Sequence, residues 1–410
     1  MTLRIFDRSV PGWELAIAMW LLALAVPPAL APDSLSFVQA AIVLVLFFAA
    51  IISHRAGFLY GPVYRHYPMV LFCTAGLIGV LIVSGILSEE PPVSLGYVGM
   101  TAVVLVLTGG VWDLTAGRMT ACLRFYGTAG SAATGYFCLF REDYSQWFNG
   151  RLSFTSVSHP NYVGLISFGF LAASLAIRNP YLRLLCMAID LAAMIFSQSR
   201  SAFVASIVCL ACFGALTVWS DKRRRGLRLF ATLGVLGLAT ASLPWTADWL
   251  MDAINDVLLL NDRYRGLGTG FTGRMEAWQE ALELFQQNPF FGVGFRMHER
   301  YMVSLWSAHN GYLSMLADTG ISGIAMTLLL MAMLAIRALR FGAAGSRTSR
   351  IAISFFAGYC IVAIFERVLL NAGNPTSLLL WILLMAPANR MAGLAPRPLE
   401  LRTPEPAFAK

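Results

Sequence analysis

Few side chains in this sequence are equipped for chemistry, and most of their neighbours are apolar. His309 stands in SAHNGYLSMLADTGISG, where a polar stretch gives way to an apolar run. An imidazole there, with an ordinary pKa of about 6.5, could take a proton from a hydroxyl group. Capping or packing at a helix start is the alternative. Arg200 stands in FSQSRSA between two apolar runs, and Arg274 opens RMEAWQEALELFQQ. A guanidinium offers a planar fork that bonds two phosphate oxygens at once, so an arginine flush with a membrane suits a diphosphate. A lipid-headgroup contact or a solvated loop charge would place arginines there as well. His159 in SHPNY and His298 in RMHER are weaker candidates of the same kind as His309.

Asp190, Glu366 and Arg367 fall within apolar runs, where a charge is costly and marks either function or a structural polar clamp. Glu366 and Arg367 are adjacent and cannot share one helix face, so each should find a partner on another element. Arg124 is expected to snorkel or to pair within the helical bundle.

The elements that would hold these residues are set by composition. Of 410 residues, 58% are hydrophobic and 13% charged, against roughly 25% charged in a soluble domain. That excludes a soluble globular enzyme, a disordered chain and a disulfide-stapled scaffold. Runs of about 20 apolar residues, enough to cross a bilayer, centre on 13–30, 36–53, 68–87, 94–112, 119–140, 160–177, 182–197, 201–219, 227–243, 311–336, 350–370 and 376–391. The expected fold is therefore an all-α polytopic membrane protein with about 12 transmembrane helices. The seven cysteines lie in or beside these runs, so no disulfide framework or metal site is expected; Cys209-x-x-Cys212 sits inside one of them. No small-residue cleavage site follows the first run, which reads as a retained helix.

Twelve crossings put both termini on one side. Starting inside, the inner segments carry 20 basic residues and the outer ones 9, with SDKRRRGLR inside and SEEPP outside. Both termini are thus expected in the cytoplasm. The net charge of +8 is then a matter of topology and implies no nucleic-acid partner. One membrane domain spans 1–391, with a large outer, periplasmic loop at 244–310 and a Pro-rich, disordered cytoplasmic tail at 392–410. Within the loop, Thr272 or Gly273 could cap a helix that Pro289 ends, with Met275, Trp278, Leu282 and Phe285 on one face.

The order of these elements resembles the O-antigen ligase and polysaccharide polymerase superfamily of bacterial inner membranes. Three motifs carry the likeness between about 158 and 323. They are Ser199-Arg200 in a short outer turn, Gly273-Arg274 with Trp278 and then NPFFGVGF, and His309-Asn310 followed by Gly320 and Gly323.

The resemblance implies a fold like the C-type glycosyltransferases and an inverting, metal-independent glycosyl transfer without a cofactor. The donor would be a glycan on undecaprenyl diphosphate, and the acceptor a sugar on a second lipid-linked repeat unit or on lipid A–core. It implies His309 as the base that activates the acceptor hydroxyl, and Arg200 and Arg274 as the diphosphate holders. Asn310, Trp278, His159, Asn161, Glu366 and Arg367 would support them at the periplasmic face of the inner membrane, with polysaccharide-assembly proteins as further partners. The expectation leans to a polymerase over a ligase, because each polysaccharide pathway of this type needs its own. A transporter of lipid-linked oligosaccharide is the reading from a different class, using Asp190, Glu366 and Arg367 as a polar path; it requires functional residues near the bilayer midplane.

Overall fold

A computed structural model describes residues 3–5, 8–10, 21–22, 67–106, 108–109, 116–154, 159–220, 226, 274–304, 307–343 and 345–389. Apart from a pair of three-residue antiparallel strands, Leu3–Ile5 with Arg8–Val10, its regular structure is helical. The helices are α1 Pro68–Ile86, α2 Pro91–Val106, α3 Ala116–Leu139, α4 Arg141–Ser145, α5 Pro160–Ser174, α6 Pro180–Phe196, α7 Arg200–Ser220, α8 Arg274–Gln287, α9 Gly311–Ala343, α10 Arg347–Phe365 and α11 Pro375–Asn389.

Local sequence explains many of the helix starts. Proline opens α1, α2, α5, α6 and α11, where its fixed φ suits the first turn and its missing N–H has no helical partner to lose. Asparagine side chains cap three helices. Asn179 accepts from Tyr181 and Leu182 N–H at 2.9 and 3.2 Å, and Asn374 from Thr376 and Ser377 N–H at 2.9 and 3.2 Å. Asn310 accepts from Tyr312 and Leu313 N–H, both at 3.0 Å. These bonds satisfy donors that a helix start otherwise leaves open.

Nine of the twelve apolar runs are occupied by helices; 36–53, 227–243 and all of 13–30 except residues 21–22 lie outside the described residues, as do 244–273 of the long loop and the tail. Among the described residues, four stretches are long and apolar enough to cross a membrane: Pro68–Ile86, Arg200–Ser220, Gly311–Arg340 and Arg347–Phe365. α2, α5, α6 and α11 have 15 to 17 residues, which at 1.5 Å per residue gives a span of roughly 22–26 Å. The run at 350–370 was expected to be one helix, but α10 ends at Phe365. Glu366 takes an extended conformation, with φ −140° and ψ 144°, so Glu366 and Arg367 lie beyond the helix end.

α5 and α11 are buried along most of their length and form the centre, as befits helices that are apolar all round. α10 packs against α7 and α9, α3 against α5 and α6, and α1 against α9. The Phe168 ring of α5 stacks on Phe355 of α10 at 4.7 Å. Tyr359 of α10 donates its hydroxyl to Val368 O at 2.6 Å, fixing the chain as it leaves the helix. Asp190 is fully buried on α6 and accepts a bond from Ser131 Oγ of α3 at 2.8 Å. All seven cysteines are unbridged, and Cys209 and Cys212 lie on α7.

α9 is broken at Gly320, where φ is 61° and ψ −165°. The break is answered by the NPFFGVGF segment. Val293 and Gly294 N–H donate to Ala317 O and Asp318 O, both at 3.0 Å, while Ile321 and Ser322 N–H donate to Pro289 O and Phe290 O at 2.9 and 3.3 Å. Backbone groups freed by the kink are thus satisfied by the loop. A Cβ at Gly320 would lie 2.4 Å from the Phe290 carbonyl carbon, and one at Gly292 would lie 2.4 Å from Ala317 O. Gly320→Ala is therefore expected to unseat this loop at a cost of roughly 1–3 kcal/mol. A lower melting temperature and faster proteolysis near 288–300 would show it; unchanged values would mean the loop docks by other means.

Candidate functional site

One end of the bundle collects the start of α5, the end of α6, the starts of α7, α8 and α9, and the end of α10. Arg151, just ahead of α5, ties several of these together. Its Nε donates to Ser197 O at 3.0 Å, in the turn that precedes Arg200, and its Nη2 donates to Asn161 Oδ1 at 2.8 Å. Asn161 Nδ2 in turn donates to Glu366 Oε1 at 2.8 Å. The same Glu366 oxygen lies 3.7 Å from Arg274 Nη2. α9 begins against this carboxylate's backbone, since a Cβ on Gly311 would meet Ala363 O and Glu366 O at 3.2 Å.

Arg274 is a charge that acts on His309. Burial and, after it, the Arg274 guanidinium hold the His309 pKa below its ordinary value. The ring is then neutral near pH 7 and free to accept a proton. His309 has φ 45°, uncommon for a residue with a side chain and a mark of backbone held in place by its surroundings. Its own N–H donates to Ser307 Oγ at 3.2 Å. The N-terminal cap of α9 is supplied by Asn310, so His309 is not the capping residue.

Glu366 has its carboxyl pKa raised by burial, an effect opposed by Arg274, then by the Asn161 hydrogen bond and Arg151. At 3.7 Å, its contact with Arg274 is one of charge and not a hydrogen bond.

The expected site residues fall into three groups. Arg274, His309, Asn161 and Glu366 come together, and Asn310 and Trp278 lie on the helices that carry them. Arg200 opens α7, half-buried, and is joined to the cluster through Ser197, Arg151 and Asn161. His159 and Arg367 flank the cluster, next to Asn161 and Glu366. His159 Nδ1 accepts from Asn161 N–H at 3.2 Å and caps α5. Arg367 pairs with Glu299; burial, then Arg296, lowers its pKa to about 9. His298 is a buried latch: its Nδ1 and the N–H groups of Met297 and His298 converge on Asp318 Oδ1 at 2.8, 2.9 and 2.8 Å.

Two residues that hold the site were not singled out from the sequence. Arg151 was counted only as an outer charge. Glu280 of α8 accepts from Val303 and Ser304 N–H at 2.9 and 3.0 Å and so fastens the chain that leads to His309. On α8 the buried residues are Ala277 and Ala281, and Ala281 packs with Ala308 and Ala317. Of the Met275, Trp278, Leu282 and Phe285 stripe, Met275 and Leu282 are 51% and 40% exposed and Trp278 and Phe285 are half-buried.

Helices of membrane-crossing length whose ends gather a polar Arg–Asn–Glu–Arg–His cluster define a polytopic membrane protein with a polar site at one end of the bundle. Residues 185–328 match the family model described as O-Antigen ligase, which puts this stretch in the O-antigen ligase and polysaccharide polymerase superfamily. The match runs from α6 to α9 and contains Arg200, Arg274, Trp278, His309 and Asn310; His159, Asn161, Glu366 and Arg367 lie outside it. No curated protein sequence matches the chain.

Proposed function

We propose that this protein is a glycosyltransferase that moves a glycan from undecaprenyl diphosphate to a hydroxyl of an acceptor sugar. The observation that carries this reading is the cluster in which Glu366, bonded to Asn161, faces Arg274 at 3.7 Å and lies against the start of α9 behind His309, with Arg274 and His309 inside the stretch that matches the O-antigen ligase family. His309 takes the proton of the acceptor hydroxyl, whose oxygen attacks the anomeric carbon. The bond from that carbon to the diphosphate oxygen breaks, and its electron pair leaves with the diphosphate. Arg200 and Arg274 balance the charge that develops there, a part often taken by a metal ion. Glu366 and Asn161 hold Arg274 in place. Attack from the face opposite the leaving group inverts the anomeric centre. The polyprenyl tail lies among apolar helices and the sugars in the opening above them.

The acceptor is a second lipid-linked repeat unit in the first reading, making the protein a polymerase of O-antigen or exopolysaccharide. Lipid A–core is the acceptor in the second reading, favoured by the ligase description of the matching family. The products distinguish them. In cells lacking the gene, a polymerase defect leaves single repeats on lipid A–core, whereas a ligase defect leaves long chains on the lipid carrier.

The reading also requires the cluster to face the periplasm of a cell with both termini of the protein in the cytoplasm. Cysteine placed at Ser304, beside the Glu280 clamp, should react with an impermeant thiol reagent in intact spheroplasts. Cysteine at Ser220, at the far end of α7, should not. The reverse pattern would overturn the sidedness and the function built on it.

A further inference from the structure

At the opposite end of the bundle, arginines converge on the turn that follows α5. Arg347 Nε and Nη2 donate to Leu175 O at 3.0 and 2.6 Å, and Nη2 also to Ile177 O at 3.1 Å. Arg124 Nε donates to Ala176 O at 2.9 Å, and Arg183 Nη1 to Ile177 O at 3.4 Å. These carbonyls belong to the C-cap residue and the two residues after it, where the helical ladder has ended. Arg350 bonds Ser220 Oγ at the end of α7, and Arg178 is exposed beside them.

The helix end carries only about half a negative charge, far less than the guanidiniums around it. The charges acting on Arg347 are Arg183, Arg124, Arg350 and Arg178, all of one sign. Among the described residues, no carboxylate forms an ion pair with Arg178, Arg183, Arg347 or Arg350. An anion would balance them.

A second observation says which anion. Next to Arg183, the first turns of α6 expose Tyr181, Leu184 and Leu185 by 81%, 60% and 58%. An apolar face directly beside a cationic cluster, at the ends of the membrane-length helices α7 and α10, matches a molecule with a phosphate head and acyl chains. Basic pockets between helix ends on the cytoplasmic side bind such lipids.

We propose that Arg178, Arg183, Arg347 and Arg350 form a binding site for the headgroup of an anionic phospholipid, with its acyl chains along Tyr181, Leu184 and Leu185. The site does not depend on the proposed glycosyl transfer. It anchors α5, α6 and α10 to the inner leaflet.

The test uses delipidated full-length protein in mild detergent, titrated with cardiolipin, phosphatidylcholine or inorganic phosphate and read by native mass spectrometry and melting temperature. Cardiolipin should bind and stabilise, while phosphatidylcholine and millimolar phosphate should not. Arg178→Gln with Arg183→Gln should weaken cardiolipin binding about 30-fold, at about fivefold per arginine; Arg340→Gln, an exposed arginine on α9, should leave it unchanged. Should the double variant fail to insert, Arg178→Gln alone carries the same comparison at about fivefold. Equal binding of phosphatidylcholine, equal binding by the variants, or full stabilisation by phosphate alone would each overturn the proposal.

Discussion

Replacing His309 with asparagine is expected to slow glycan transfer by about 10²–10⁴-fold, the usual worth of general-base help, while the protein still inserts and binds donor. Asparagine is the informative substitution because of the backbone. At φ 45° a side chain is strained, and asparagine tolerates that region better than alanine. The α9 cap comes from Asn310 and survives the change. A rate loss can then be assigned to the missing imidazole. The pH dependence carries the same prediction with a sign. A base whose pKa is lowered by burial and Arg274 stays neutral to lower pH, so the acid limb of the rate should have its midpoint below about 6.5. Removing the guanidinium charge with Arg274→Gln should move the midpoint of the residual activity upward. Transfer by His309→Asn within a few-fold of the parent would remove His309 from the base role.

The arginines should show the second-largest effect. Arg200→Lys and Arg274→Lys each keep the charge but lose the planar fork. Loss of one charge-assisted contact in a water-poor site is worth roughly 2–4 kcal/mol, or about 30- to 1,000-fold in rate. Arg274→Lys would still face Glu366, so the helix end should stay in place while the diphosphate contact weakens. Steady-state transfer by variants of confirmed insertion measures this. Near-parental rates for either lysine variant would exclude that residue from the diphosphate site.

Much of this arrangement is legible in the sequence, and the part that is not has a physical reason. Arg274 at the start of a helix, His309 before another and Arg200 in a short turn could be placed from apolar periodicity and turn residues alone. The Arg151–Asn161–Glu366 chain could not, because Asn161 and Glu366 are 205 positions apart and nothing local marks either as the other's partner. The Met275, Trp278, Leu282 and Phe285 stripe is only partly covered, with Trp278 and Phe285 half-buried, while the fully buried residues of α8 are Ala277 and Ala281. Hydropathy reports which side chains avoid water, but near a bilayer lipid also satisfies them, and close helix approach selects small residues such as Ala277 and Ala281. The end of α10 was placed five residues too late, since an apolar run continues past Glu366 while the backbone turns extended there. The tie between NPFFGVGF and the kink at Gly320 rests on backbone bonds, which side-chain patterns do not encode; the glycines hint at close approach without naming the partner.

Transfer of a lipid-linked glycan by the cluster around Arg274 and His309 is the proposed activity of this membrane protein. Purified protein in proteoliposomes, supplied with an undecaprenyl-diphosphate-linked glycan and a matching acceptor, tests it most directly. The parent should yield an enlarged acceptor and free undecaprenyl diphosphate in equal amounts, with chelator present, and His309→Asn should yield almost none. Donor that crosses the bilayer with its diphosphate bond intact, and no enlarged acceptor, would contradict it.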